Sequence, residues 1–213
     1  MHQKSYLLSE FFIFFILLPA SLAIDYSIWV KSGLVIVGFV YILIILKRTM
    51  HISLGVKKGM NWKAFRKRLV ISFLVVVAVT TVFVWITKPS ALFLVPRTNI
   101  PLFITILFVY TFLSVWPQEV IYRTFFFERY GSIFKSKTLF IFVNAVVFSL
   151  AHIFFKNTLV TILTFIGGLL FGLTYLRFRS TTLVSIEHAL YGNWLFTVGM
   201  GQMLAFPGME VPT

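Results

Sequence analysis

Seven apolar stretches of roughly membrane-crossing length follow one another along 213 residues, at about 11–24, 28–46, 69–86, 100–130, 139–155, 158–176 and 181–206. About 17 to 25 apolar residues wound as a helix cross the hydrocarbon of a bilayer, and a helix is the segment that satisfies its own backbone there. Only 12% of residues are charged against 59% hydrophobic, and the mean hydropathy is +0.95. An ordinary soluble domain carries about 25% charged residues, so this composition cannot clothe a water-soluble surface. The fold class is therefore all-α, a multi-pass transmembrane helical bundle of about seven spans. There is no cysteine, which excludes disulfide stapling, thiolate catalysis and cysteine-ligated metal sites. The first stretch follows Lys4 and ends in Pro-Ala-Ser-Leu-Ala, in the manner of a cleavable signal, but Glu10 and the immediate next span favour a retained helix.

The net charge of +13 and the 39 aromatic residues do not describe a nucleic-acid binder. The aromatics sit inside apolar runs, and the cations gather at the ends of those runs, where they orient a chain in the bilayer. The segment 47–68 holds Lys47, Arg48, Lys57, Lys58, Lys63, Arg66, Lys67 and Arg68 with no acid, which places it and the N-terminus in the cytoplasm. Inside segments then carry fourteen cations and outside segments four, Lys31, Lys88, Arg97 and Lys156. The expected location is a bacterial inner membrane, with anionic lipid as a neighbour of the basic segment.

Ionisable groups inside hydrocarbon are costly and mark function first. Here they are Glu119 and Arg123, His152, and Glu187 with His188, joined by the amides Gln118, Asn144 and Asn193. Glu119 and Arg123 are four residues apart and share a helix face as an ion pair, which serves packing as well as chemistry. At 1.5 Å per residue, His152 lies about 20 Å along its helix from the inner end, Glu119 about 15–24 Å and His188 about 10 Å. Two imidazoles and a carboxylate at comparable depth are the minimum for general acid–base chemistry. The stretch 100–130 is too long for one straight crossing, and Pro117 is where a break or kink is expected. Gly168 and Gly172 have the spacing of a close helix contact. Glu187 is either a second base or an interfacial acid near Arg177 or Arg179.

Gln118-Glu119-Val120-Ile121-Tyr122-Arg123, Phe148 to His152, and His188 with Asn193 together resemble the Glu-Glu-x-x-x-Arg, Phe-x-x-x-His and His-x-x-x-Asn/Asp motifs of the CPBP family of intramembrane proteases, also called the Abi or type II CAAX prenyl endopeptidase family. The likeness runs from about Pro101 to Met200 and takes in Gly-Gly-Leu-Leu-Phe-Gly at 167–172. It divides the chain into N-terminal transmembrane helices over 1–100 and a protease-like core over 101–206. Two departures stand out. Gln118 occupies the place of the family's first glutamate, and an amide cannot act as a base. Asn193 follows His188 by five residues, which on a regular helix turns it about 140° away from the histidine's face, unless Gly192 relaxes a π-bulge.

The resemblance implies hydrolysis of a peptide bond in a membrane-associated protein or peptide. Glu119, or a water held by Gln118 and Glu119, would be the base. His152 and His188 would orient water or stabilise the oxyanion, Asn193 would donate a hydrogen bond, and Arg123 would hold Glu119. A zinc version with His152, His188 and Glu119 as ligands is an alternative to a glutamate-activated water with no cofactor, though no His-Glu-x-x-His spacing specifies it. The rival readings are an inactive relative that binds a membrane partner or confers bacteriocin immunity, and a small proton-coupled transporter, which the lack of inverted repeats disfavours.

Overall fold

The computed structural model describes residues 2–52, 54–56 and 59–204. Ser53, Lys57 and Lys58 of the basic segment, and the Phe206 end of the last apolar stretch, lie outside the described residues. These contain helices and no strand. Six helices are long and apolar enough to cross a membrane: α1 (Lys4–Ser21), α2 (Ile28–Thr49), α3 (Trp62–Thr87), α4 (Ile100–Tyr130), α5 (Lys137–Phe155) and α6 (Thr158–Phe178). The seventh, α7 (Thr181–Val198), is as long as α1 but less apolar, because Glu187, His188 and Asn193 sit on it. This is an integral membrane bundle of six apolar helices and one polar one.

The helix starts follow from local chemistry. Asn61, Asn99, Ser136, Asn157 and Ser180 each accept a hydrogen bond from a first-turn backbone N–H of α3 to α7 in order. Such caps satisfy donors that no preceding turn can reach. α7 ends at Gly199, whose φ of 108° is open to glycine, and a side chain there would run into the Ala91 carbonyl.

Three expectations from the sequence are corrected. α1 begins before Glu10, not after it, because Glu10 is neutralised within the bundle: Arg129 Nε and Nη2 donate to it at 2.8 and 3.0 Å, and Tyr130 and Tyr41 hydroxyls at 2.8 Å each. The basic segment is not one loop: Lys47 and Arg48 close α2, and Lys63, Arg66, Lys67 and Arg68 lie in the first turns of α3. Arg68 turns inward, donating to Thr174 Oγ1 at 2.8 Å and to the Leu170 carbonyl at 3.1 Å, so it ties α3 to α6. Pro117 breaks nothing. α4 runs unbroken through it and absorbs the missing N–H in two π-helical turns, Tyr110–Val115 and Val120–Phe125, on either side of Trp116–Glu119.

α5 and α6 lie against each other with Gly168 at the crossing; a Cβ there would meet Ala145 Cα at 2.7 Å, so the small-residue spacing does set the approach of the two backbones. Phe15 of α1 is fully buried among Phe125, Phe126 and Tyr130 of α4. The first helix is thereby part of the wall around the core, and α4 and α7 bring the ionisable residues to the centre.

Candidate active site

Glu119 is the last residue of the α-turn between the two π-turns of α4, and it is wholly buried. Its Oε1 receives His188 Nδ1 at 2.7 Å from α7. Its Oε2 lies 3.5 Å from Arg123 Nε, one turn on. A carboxylate acceptor fixes the proton of a neutral imidazole on Nδ1, and Nε2 is then the nitrogen that carries the lone pair. His188 is 6% exposed, and the exposed part faces a cavity.

That cavity is about 870 Å³ and has an apolar body walled by α1, α2, α3 and α6. Tyr110, Ser114 and Gln118 on α4, His152 on α5 and His188 on α7 also line it. Tyr110, Ser114 and Gln118 are spaced four apart and share one face of α4. Gln118 Nε2 donates to Ser114 Oγ at 2.8 Å, while Gln118 Oε1 has no partner. His152 lies between the α-helical part of α5 and its closing 3-10 turn, and its Nδ1 is 2.8 Å from the carbonyl oxygen of Phe148. An N–H on Nδ1 serves that carbonyl, so His152 also turns a lone-pair Nε2 to its surroundings.

Phe148 explains the spacing of the Phe-x-x-x-His motif. The Arg123 guanidinium lies 4.5 Å above its ring, and the rings of His152 and His188 lie 4.9 and 5.8 Å away. Phe171 stacks on the His188 ring at 4.4 Å and also faces Arg123 at 5.6 Å. The two aromatic faces receive a cation that is fully buried and only partly hydrogen-bonded, since Arg123 Nη1 donates to the Tyr122 carbonyl at 3.2 Å while Nε and Nη2 lack a hydrogen-bond partner. The Tyr122 carbonyl also accepts from Asn144 at 2.6 Å.

Not every candidate joins this group. Asn193 donates to Thr111 Oγ1 at 3.0 Å and does not line the cavity; α7 passes Gly192 as regular α-helix, so the five-residue spacing carries the amide off the His188 face. Glu187 is 1% exposed and accepts from the Tyr191 hydroxyl at 2.9 Å. It is a buried acid, not an interfacial one, and Arg179 pairs with Glu128 at 3.1 Å instead. Among the described residues no three His, Asp or Glu side chains are grouped to hold a metal ion, so Glu119, His152 and His188 as they stand do not fit zinc. Tyr110 and Phe171 border the histidines without having been singled out from sequence. The glycine at 192, one helical turn beyond His188, is the signal that Tyr110 left behind.

Residues 100–195 match the family model described as type II CAAX prenyl endopeptidase Rce1-like, the family that the three motifs resemble. The matched segment starts with α4 and ends in α7, and so contains every candidate side chain described above. No curated protein and no solved structure gives a significant match.

Proposed function

We propose that this protein is an intramembrane endopeptidase that hydrolyses a peptide bond of a membrane-associated protein or peptide, using a glutamate-oriented histidine as its base. The observation that carries this reading is the 2.7 Å contact between Glu119 and His188, the latter lining the cavity. Glu119 holds Nδ1–H and compensates the charge that forms on the ring. Nε2 takes a proton from water as it attacks the carbonyl carbon, then returns it to the leaving amine. His152 Nε2 is an acceptor that orients the water. Arg123, sandwiched by Phe148 and Phe171, balances the carboxylate. The apolar body of the cavity receives the hydrophobic part of the substrate and keeps bulk water from the attacking one.

The measurement is cleavage of an internally quenched membrane peptide by the purified chain in nanodiscs. His188→Ala should lower kcat about 10²–10⁴-fold, the range for a positioned general base. His152→Ala should also lose turnover while remaining folded. Full activity in both variants would overturn the reading. Gln118 in place of a glutamate and the outward turn of Asn193 favour a second reading, a relative without turnover that binds a membrane partner or confers immunity. It requires that the biological phenotype survive replacement of Glu119, His152 and His188 one at a time.

The orientation belongs to the same proposal, with the N-terminus in the cytoplasm of a bacterial cell. The Lys156–Asp25 pair puts the α1–α2 and α5–α6 turns at one end, an arrangement common to both orientations. A cysteine at Ser90 should label from outside and one at Ser132 should not; the reverse pattern inverts the topology.

A further inference from the structure

Hydrolysis needs a donor for the carbonyl oxygen as it becomes an oxyanion, and the groups assigned so far are poor in donors. His152 and His188 both use Nδ1–H elsewhere, leaving acceptor nitrogens. Gln118 donates to Ser114, and Asn193 donates to Thr111 outside the cavity. Arg123 is fully buried and does not line the cavity. Among the hydroxyls that line the cavity, that of Tyr110 belongs to a ring in contact with the His188 imidazole. Tyr110 is the first residue of the Tyr110–Val115 π-turn and lines the cavity with Gln118, His152 and His188.

Its position is set by a missing side chain. Residue 192 follows His188 by one helical turn on the same face of α7 and is glycine. A Cβ built on Gly192 would fall on the hydroxyl end of the Tyr110 ring. Tyr110 therefore reaches across from α4 into the space that a longer residue at 192 would fill. Its ring is gripped edge-on by Phe196 at 4.9 Å and by the His188 imidazole at 6.0 Å, so the ring is held beside the base with its hydroxyl end over Gly192, one turn along α7. No hydrogen bond within the described residues occupies it.

We propose that the Tyr110 hydroxyl is the oxyanion donor of this site, supplied from α4 because α7 offers only Gly192 at the matching place. This rests on the peptidase reading. The hydroxyl donates to the carbonyl oxygen as water adds and keeps its own proton throughout, so proton transfer stays with His188.

Tyr110→Phe in the full-length protein tests it, since the ring and its contacts with Gly192, Phe196 and His188 are retained. In nanodiscs, kcat on a membrane peptide that the natural chain cleaves should fall about 10²–10³-fold, the loss seen when one oxyanion donor is removed. KM and the unfolding temperature should not move, which a packing role would not give. Tyr110→Ala combined with Gly192→Asn should recover at least about tenfold over Tyr110→Ala alone, because the amide enters the vacated space from the other helix. Tyr110→Phe with natural kcat overturns the Tyr110 role and leaves the peptidase reading standing. A natural chain that cleaves no membrane peptide removes both.

Discussion

Glu10 and Glu119 both lie inside membrane helices, both face an arginine, and differ in how fully they are satisfied. Glu10 accepts four hydrogen bonds at 2.8–3.0 Å, two of them from Arg129 in a fork, and so uses every lone-pair site a carboxylate offers. Glu119 accepts one short bond, from His188, and stands 3.5 Å from Arg123. Glu119 Oε2 and Arg123 Nε and Nη2 are buried with no hydrogen-bond partner. A buried polar group left unsatisfied is expensive, and in a folded protein it calls for a reason. The saturated pair stitches α1, α2 and α4 together and has nothing left with which to do chemistry. The unsaturated pair lies behind a histidine that faces a cavity, where a change of charge on that ring has to be answered.

The sharpest way to break this contrast is to move the Glu119 carboxylate without removing it. Glu119→Asp keeps the charge opposite Arg123 but withdraws the acceptor from His188 by one methylene. A displacement of that order costs about 10²-fold when it disturbs catalytic geometry, whereas the buried arginine stays paired. We expect kcat to fall at least about 10²-fold with little change in thermal unfolding. Glu119→Gln should lose about 10²–10⁴-fold in rate and also destabilise the bundle, because Arg123 is then a buried charge without a counterion. An Asp variant with natural kcat would show that Glu119 only packs.

Glu10→Ala should do the opposite. It leaves Arg129 and two tyrosine hydroxyls without their acceptor, at a cost of about 3–5 kcal/mol for breaking a buried pair. Arg129 is partly exposed at 18%, which moves the expectation to the lower end of that range. Unfolding in detergent should shift to lower temperature, while kcat of the folded fraction should be unchanged. A loss of kcat at constant stability would mean that α1 positions the site and is not merely a clasp.

Tyr130→Phe sharpens the comparison on a smaller scale. The hydroxyl is buried and donates to Glu10 at 2.8 Å. A hydrogen bond to a charged group contributes about 1.5–3 kcal/mol, and three donors remain on Glu10 to compensate. The expected loss is near the lower figure, read by thermal unfolding, with no effect on turnover.

How much of this could be read beforehand depends on the distance over which a residue finds its partner. The Glu119–Arg123 pair and the Gly168 crossing are encoded within one or two helical turns, and both are visible in spacing alone. Glu10 looked like a residue that must wait outside the bilayer because Arg129, 119 positions away, is invisible to local pattern. Arg68 looked like one more orienting charge for the same reason; Thr174 makes it a tie between helices. Pro117 promised a break or kink; the helix is not broken, and two π-turns flank the proline instead. The seventh span is legible at 181–206 and is helical over Thr181–Val198, although Glu187, His188 and Asn193 lower its hydropathy below that of the other six. Tyr110 was unreadable because its role depends on what residue 192 lacks.

The smallest expected effect belongs to the position where the sequence departs from the motif it resembles. Gln118 lines the cavity beside Glu119, with its amide nitrogen on Ser114 and its carbonyl oxygen unpartnered. Gln118→Glu is nearly isosteric. Ser114 can reverse its hydroxyl to donate to the new carboxylate, so that contact survives. If His188 is the base, a second acceptor for the attacking water adds little, and kcat should stay the same or rise by no more than about tenfold. A rise well beyond that would transfer the base from His188 to position 118 and make the natural chain an attenuated enzyme. A fall of more than about tenfold would mean that the neutral amide is itself required, which neither the Glu119–His188 arrangement nor the family pattern accommodates.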